Sequence, residues 1–111
     1  MAITANGCDA NMAIDMTAHP TTTITFEGIE YTPRCVRVRS GSNVLFSGSF
    51  ASHPLVGGTV TGSVGTPDPA SPVPATSTGS EVTFTPTKAG TYPYYCSVHV
   101  GSGMMGVIYA E

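Results

Sequence analysis

Short alternating runs, each ended by glycine or proline before it can lengthen, constrain this chain more than any other feature. The clearest is residues 34–41, RCVRVRSG. Val36 and Val38 fall on one face, Cys35, Arg37 and Arg39 on the other, and Ser40–Gly41 closes the run. Period-two alternation over so few residues is the pattern of a half-buried strand. Similar runs are TTTITFEGIEYTP (21–33), NVLFSGSF (43–50), EVTFTP (81–86), KAGTYPYYC (88–96) and MMGVIYAE (104–111). HPLVGGTV (53–60) opens near a proline and contains a glycine pair, which predicts a broken or edge segment. Residues 65–80 carry four of the nine prolines and almost no large apolar side chain, which predicts a surface loop. Seven or eight short strands with turn signals between them predict an all-β antiparallel sandwich, one domain over 1–111, with a strand and turn region at 1–20. Tyr92, Tyr94 and Tyr95 read as core and sheet residues.

Composition removes several functions. Only 10% of the residues are charged, against about a quarter in an ordinary globular chain, and the net charge is −3. Without a basic stripe, nucleic acid is not an expected partner. No apolar run approaches the length of a membrane span. The N-terminus lacks the charged and apolar regions of an intact signal peptide. No Ser-His-Asp or paired-carboxylate arrangement points to an enzyme. The three cysteines are Cys8, Cys35 and Cys96. With Cys96 beside a histidine, Cys8 and Cys35 are left to pair or to stand as two buried thiols, and spacing alone leaves both readings open.

The chemistry concentrates in YCSVHVGSGMMG, residues 95–106. Cys96 ends a strand, His99 follows in the loop, and Met104 opens the next strand after a glycine-rich stretch. A thiolate, an imidazole and a thioether can converge there, and a fourth ligand must come from elsewhere. Of the other two histidines, His53 ends an apolar strand and can meet the loop at one pole of a sandwich. His19 lies in a polar turn and is the poorer candidate. Met105 is the rival thioether, but neighbouring strand residues face opposite ways. Two His, one Cys and a distant Met form the donor set of a blue-copper electron-transfer site. Zinc is the competing metal, although its structural sites use four strong ligands.

These residues resemble the cupredoxins. The C-x2-H-x4-M spacing of Cys96, His99 and Met104, and the strand AGTYPYYC entering it, are similar to the plastocyanin branch. The Cys8–Cys35 pair resembles the N-terminal staple of the azurins. The resemblance runs over about residues 21–111. It implies a Greek-key β-sandwich, a Cys8–Cys35 disulfide and one copper held by His53, Cys96, His99 and Met104. It also implies single-electron shuttling by a monomer in the periplasm or another extracellular, oxidising space. Redox proteins would dock transiently on an uncharged patch around His99 formed by Pro54, Leu55, Val98, Val100 and Met105. The chain departs from the family at Pro54, which has no N–H, and at Val98, which has one. The expectation is that Val98 N–H donates to the Cys96 sulfur and that Val98→Pro lowers the reduction potential. The rival functions are a copper storage or delivery module and a zinc-bound or metal-free structural sandwich.

Overall fold

The computed structural model describes residues 4–111. Its twelve strands are β1 (Thr4–Ala5), β2 (Cys8–Asp9), β3 (Ile14–Asp15), β4 (Thr21–Glu27), β5 (Glu30–Thr32), β6 (Cys35–Val38), β7 (Asn43–Gly48), β8 (Leu55–Thr61), β9 (Val64–Pro67), β10 (Glu81–Phe84), β11 (Gly90–Cys96) and β12 (Met105–Ala110). β1, β2, β3 and β5 have only two or three residues, too short to leave an alternating pattern. Of the other eight, β4, β6, β7, β10, β11 and β12 fall on the alternating runs read from the sequence, β8 falls on HPLVGGTV, and β9 falls mostly within residues 65–80, where a surface loop was expected.

Two sheets face each other. One has the order β10-β7-β4-β5, the other β3-β6-β12-β11-β8-β9, and β1 and β2 form a separate hairpin. The sandwich is mixed, where an antiparallel one was expected: β4 runs parallel to β7, and β6 runs parallel to both β12 and β3. The cause is the Greek-key path. Between β4 and β7 the chain leaves their sheet to lay down β6 in the other, and a crossover allows parallel neighbours where a tight hairpin cannot.

The core between the sheets is aromatic and aliphatic. Ile24, Val36, Val38, Val44, Phe46, Phe50 and Tyr94 are fully buried, and Tyr31 and Phe26 nearly so. A smaller cluster covers the outer face of the six-stranded sheet: Val107 and Tyr109 pack with Cys8, Cys35, Ala5, Ala10 and Ala13. There the Cys8–Cys35 disulfide ties β2 to β6.

HPLVGGTV is neither broken nor an edge. β8 is a continuous strand paired to β11 on one side and β9 on the other. Its glycines admit close neighbours. A Cβ at Gly57 would collide with Ser71 Oγ, and one at Gly58 with the Thr66 carbonyl. Within residues 65–80, Val73 is buried in the core and Thr76 exchanges two backbone hydrogen bonds with Leu55 (2.8 and 3.1 Å). Among the described residues no helix is long and apolar enough to cross a membrane.

Candidate metal centre

At one pole, three of the sequence-predicted donors meet. His53 lies in the turn that carries the chain from β7 to β8, where its N–H donates to Ser49 O (3.0 Å). Cys96 is the last residue of β11 and stands opposite Leu55 of β8. His99 precedes a short 3₁₀ turn, Val100–Ser102, which Gly103 closes in the left-handed region (φ 88°). A side chain at Gly103 would be strained there. Backbone bonds fix the loop: Cys96 N–H donates to Met104 O (2.9 Å), Met104 N–H to His99 O (3.3 Å), and Ser97 N–H to Pro54 O (3.1 Å). The last bond ties the cysteine loop to the residue after His53.

The result is a triangle of donor atoms. His53 Nδ1 and His99 Nδ1 are 3.1 Å apart, and Cys96 Sγ lies 3.9 Å from the first and 3.7 Å from the second. Metal–nitrogen bonds of about 2.0–2.1 Å and metal–sulfur bonds of about 2.3 Å in a trigonal plane place such donors roughly 3.5–3.8 Å apart. The triangle therefore fits one ion near its centre, and the donor set suits copper. Cys96 is fully buried, while both histidines are half-buried. Desolvation first, and the neighbouring His99 second, lower the His53 pKa, so its imidazole stays neutral and keeps a lone pair to donate.

Met104 is fully buried in the same core cluster as Cys96. Met105 turns the other way, and its methyl group lies 3.4 Å from where a Cβ on Gly7 would stand. His19 lies on a polar surface cleft with Arg39 and Asn43 and takes no part in the cluster.

Two residues the sequence did not point to complete the walls. Phe26 packs at right angles to the His53 ring (centroids 5.8 Å, 87°) and also on Phe50 (5.1 Å) and Tyr31 (5.4 Å). Tyr31 is buried with no hydrogen-bond partner for its hydroxyl, and desolvation, then the Cys96 charge, push its pKa up. Their alternation marks them as core residues, and nothing local marks them as neighbours of the centre.

Two expectations are corrected. The Val98 N–H is not among the donors to Cys96 Sγ; among the described residues only the two imidazole nitrogens come within hydrogen-bonding range of it. The chain turns sharply after Cys96, the Ser97 N–H is committed to Pro54 O, and Val98 stands 63% exposed on the outside of the turn. The uncharged surface beside His99 is also smaller than expected. Pro54, Val98 and Val100 remain in it, but Leu55 is buried between β11 and Thr76, and Met105 faces the N-terminal hairpin.

Among solved structures, similar folds include a pseudoazurin from Methylobacterium extorquens AM1 (22% identity over 81% of this chain and 74% of that one, TM-score 0.59). A purple cupredoxin from Nitrosopumilus maritimus is also similar (20% identity, 81% and 99%, TM-score 0.58). So is a copper-containing nitrite reductase from Thermus scotoductus SA-01 (23% identity, 82% and 22%, TM-score 0.56). This chain thus spans about a fifth of the reductase. At these identities the likeness is one of fold. No curated protein matches the chain. The family described as copper binding proteins, plastocyanin/azurin family, matches residues 18–111. With the fold and the donor triangle, that match places the chain in the plastocyanin/azurin family of copper-binding proteins.

Proposed function

We propose that this protein carries single electrons through one copper ion held by His53, Cys96, His99 and, as a weak axial ligand, Met104. The observation that carries the reading is the convergence of two imidazole Nδ1 atoms and one buried thiol sulfur within 4.8 Å of one another. Copper supplies a Cu(I)/Cu(II) couple at such a site, with thiolate and thioether suited to the reduced ion and imidazole to both. The chain's own contribution is rigidity. Cys96 is pinned by its N–H to Met104 O and by its strand partner Leu55, and His53 is boxed by Phe26 and His99. Donors held in this way have little room to move when the charge changes. Phe26, Phe50 and Tyr31 keep the core side of the site dry.

With four protein donors no position stays open for a substrate, so the reading is a carrier and not an enzyme. Half-buried His99, flanked by Pro54, Val98 and Val100, offers a small uncharged contact for transient redox partners, and the monomer is the working unit. The Cys8–Cys35 disulfide favours the periplasm or an extracellular space.

The test is a visible absorption spectrum after addition of Cu(II), with Cys96→Ser and Met104→Gln as controls. An intense thiolate–copper band is expected. It should vanish in Cys96→Ser and persist, shifted, in Met104→Gln, where the harder oxygen donor should also lower the reduction potential. A colourless wild type overturns the copper reading, and an unchanged Met104→Gln removes Met104 from the ligand set.

A further inference from the structure

The N-terminal hairpin reaches into the sheet that carries the donors. β1 and β2 pair Ala5 with Cys8 across Asn6–Gly7, and both turn residues have positive φ (46° and 74°). This is the two-residue turn that Asn-Gly favours. The Asn6 side chain is buried, with the residue only 5% exposed, and its amide is fully used. The two Nδ2 hydrogens are shared among Tyr94 O (3.0 Å) on β11, Gly58 O (3.1 Å) on β8 and Gly106 O (3.3 Å) on β12. Oδ1 accepts from Val60 N–H (2.8 Å), also on β8.

The location matters. β8 and β11 pair from Cys96↔Leu55 to Tyr94↔Gly57, after which β8 turns to β9 through Gly58↔Pro67. Asn6 bonds on both sides of that parting. Its contacts on β11 and β12 are each two residues from a proposed donor: Tyr94 precedes Cys96, and Gly106 follows Met104. At the rise of a strand this is about 7 Å. β8 begins two residues after His53. A second anchor holds the same row, because Tyr94 OH donates to Arg34 O (2.9 Å) beside the disulfide cysteine Cys35. A Cβ at Gly106 would collide with the Arg34 carbonyl and the Tyr94 ring. Asn6 also lies outside residues 18–111, the span the family accounts for.

We propose that Asn6 is a positioning residue for the metal centre, fixing β8, β11 and β12 against one another one row below the donors. The inference rests on the reading of His53, Cys96 and Met104 as ligands. No other small residue offers the same set. Ala would remove the donor that these three carbonyls share and the acceptor of the Val60 N–H, and Asp would set a carboxylate against the three carbonyls.

The test uses Asn6→Gly, which keeps the positive-φ turn and deletes the amide. The control is Phe84→Leu, a core change on β10 in the other sheet. In copper-loaded protein, Asn6→Gly is expected to shift the thiolate–copper band and the reduction potential, while Phe84→Leu leaves both at wild-type values. In metal-free protein, hydrogen exchange at the Cys96 amide should accelerate roughly tenfold or more beyond the control at equal loss of stability, the effect of about one or two net hydrogen bonds. If Asn6→Gly matches Phe84→Leu in all three readouts, Asn6 is only a stabilising contact and the proposal falls. If Asn6→Gly does not fold, metal-free wild type decides. The Val60 and Cys96 amides should exchange in one cooperative opening, and a freely exchanging Val60 beside a protected Cys96 overturns the proposal. A wild type without a thiolate–copper band defeats the proposed function, while the exchange measurements still decide the role of Asn6.

Discussion

The two sheets obey opposite rules. β4 alternates without a fault: Thr21, Thr23, Thr25 and Glu27 face solvent, while Thr22, Ile24 and Phe26 face the core. It has one wet side and one dry side. In β12 every residue from Gly106 to Ala110 is buried. Ile108 and Ala110 face the main core, while Val107 and Tyr109 face the N-terminal segment. A strand covered on both faces loses its alternation. The four-stranded sheet is thus a lid over a core. The six-stranded sheet is the middle layer of a three-layer stack, and the donors hang from its strand ends. Covering both faces fixes the strands from both sides, a rigidity that a cluster of converging donors requires and a lid does not.

The strongest way to break this comparison is to release the outer cover. Replacing Cys8 and Cys35 together by serine opens a link across a sequence separation of 27 residues, which should cost about 3–4 kcal/mol by loop-closure entropy. Chemical unfolding of the double variant measures it. If the outer layer serves the donor sheet, the loss should be accompanied by faster exchange in β11 and β12 than in β4 and β7. A uniform acceleration across both sheets would mean that the cover is a general staple and that the distinction between the sheets fails.

A smaller change tests the faces directly. Val107 on β12 and Thr23 on β4 both point away from the space between the sheets, and truncation to alanine removes two heavy atoms from either. Val107 is fully buried under the hairpin, so Val107→Ala should cost about 2–3 kcal/mol in lost burial and cavity. Thr23 is exposed, and Thr23→Ala should stay within about 0.5 kcal/mol. Equal costs in thermal unfolding would show that the outer face of the six-stranded sheet is not a true core.

The same contrast decides what could be read in the sequence. The lid sheet was legible because alternation records a single buried face. The donor loop was legible to the extent that Cys96 and His99, two of the three donors that meet, are close in sequence and their chemistry is distinctive. His53 followed only from there being few histidines and from the geometry of a sandwich pole. Of the outer cover, the resemblance supplied the Cys8–Cys35 staple, but the hairpin it ties down was not legible. The Asn-Gly turn signal at residues 6–7 stands between Thr-Ala and Cys-Asp, with no alternating apolar residues to suggest the strands it joins. The glycine pair in β8 read as a break because sequence records the missing side chain but not the Ser71 and Thr66 atoms that need its space. The Val98 N–H was assigned to the thiolate from the contrast with the resembled family, yet its direction depends on the turn that follows Cys96.

The smallest expected effect lies at the edge of the donor sheet, where contacts are as numerous as those of Asn6 but wet. Asp15 on β3 accepts from Thr17 Oγ1 (2.6 Å) and Thr17 N–H (2.9 Å) and pairs with Arg37 (3.2 Å), which also meets Glu111 (3.3 Å). The Thr17 hydroxyl, then its N–H, hold the Asp15 carboxyl below its ordinary pKa of 3.8, with Arg37 adding to them. The unfolded chain therefore takes up this proton at a higher pH than the folded one. The stability Asp15 contributes is complete above the ordinary carboxylate value and is lost as pH falls through the lower, folded value. Asp15→Asn keeps an oxygen for Thr17 but cannot titrate. Melting curves of both proteins from about pH 6 to about pH 2 should show wild type slightly the more stable at the upper end, with the gap closing toward the lower end. The gap should be well below the cost of Val107→Ala, because ion pairs at the solvent-facing edge contribute little. A gap as large as that of Val107→Ala would mean that the wet edge holds the donor sheet as firmly as its buried cover, and the division between rigid middle layer and ordinary surface would have to be redrawn at β3.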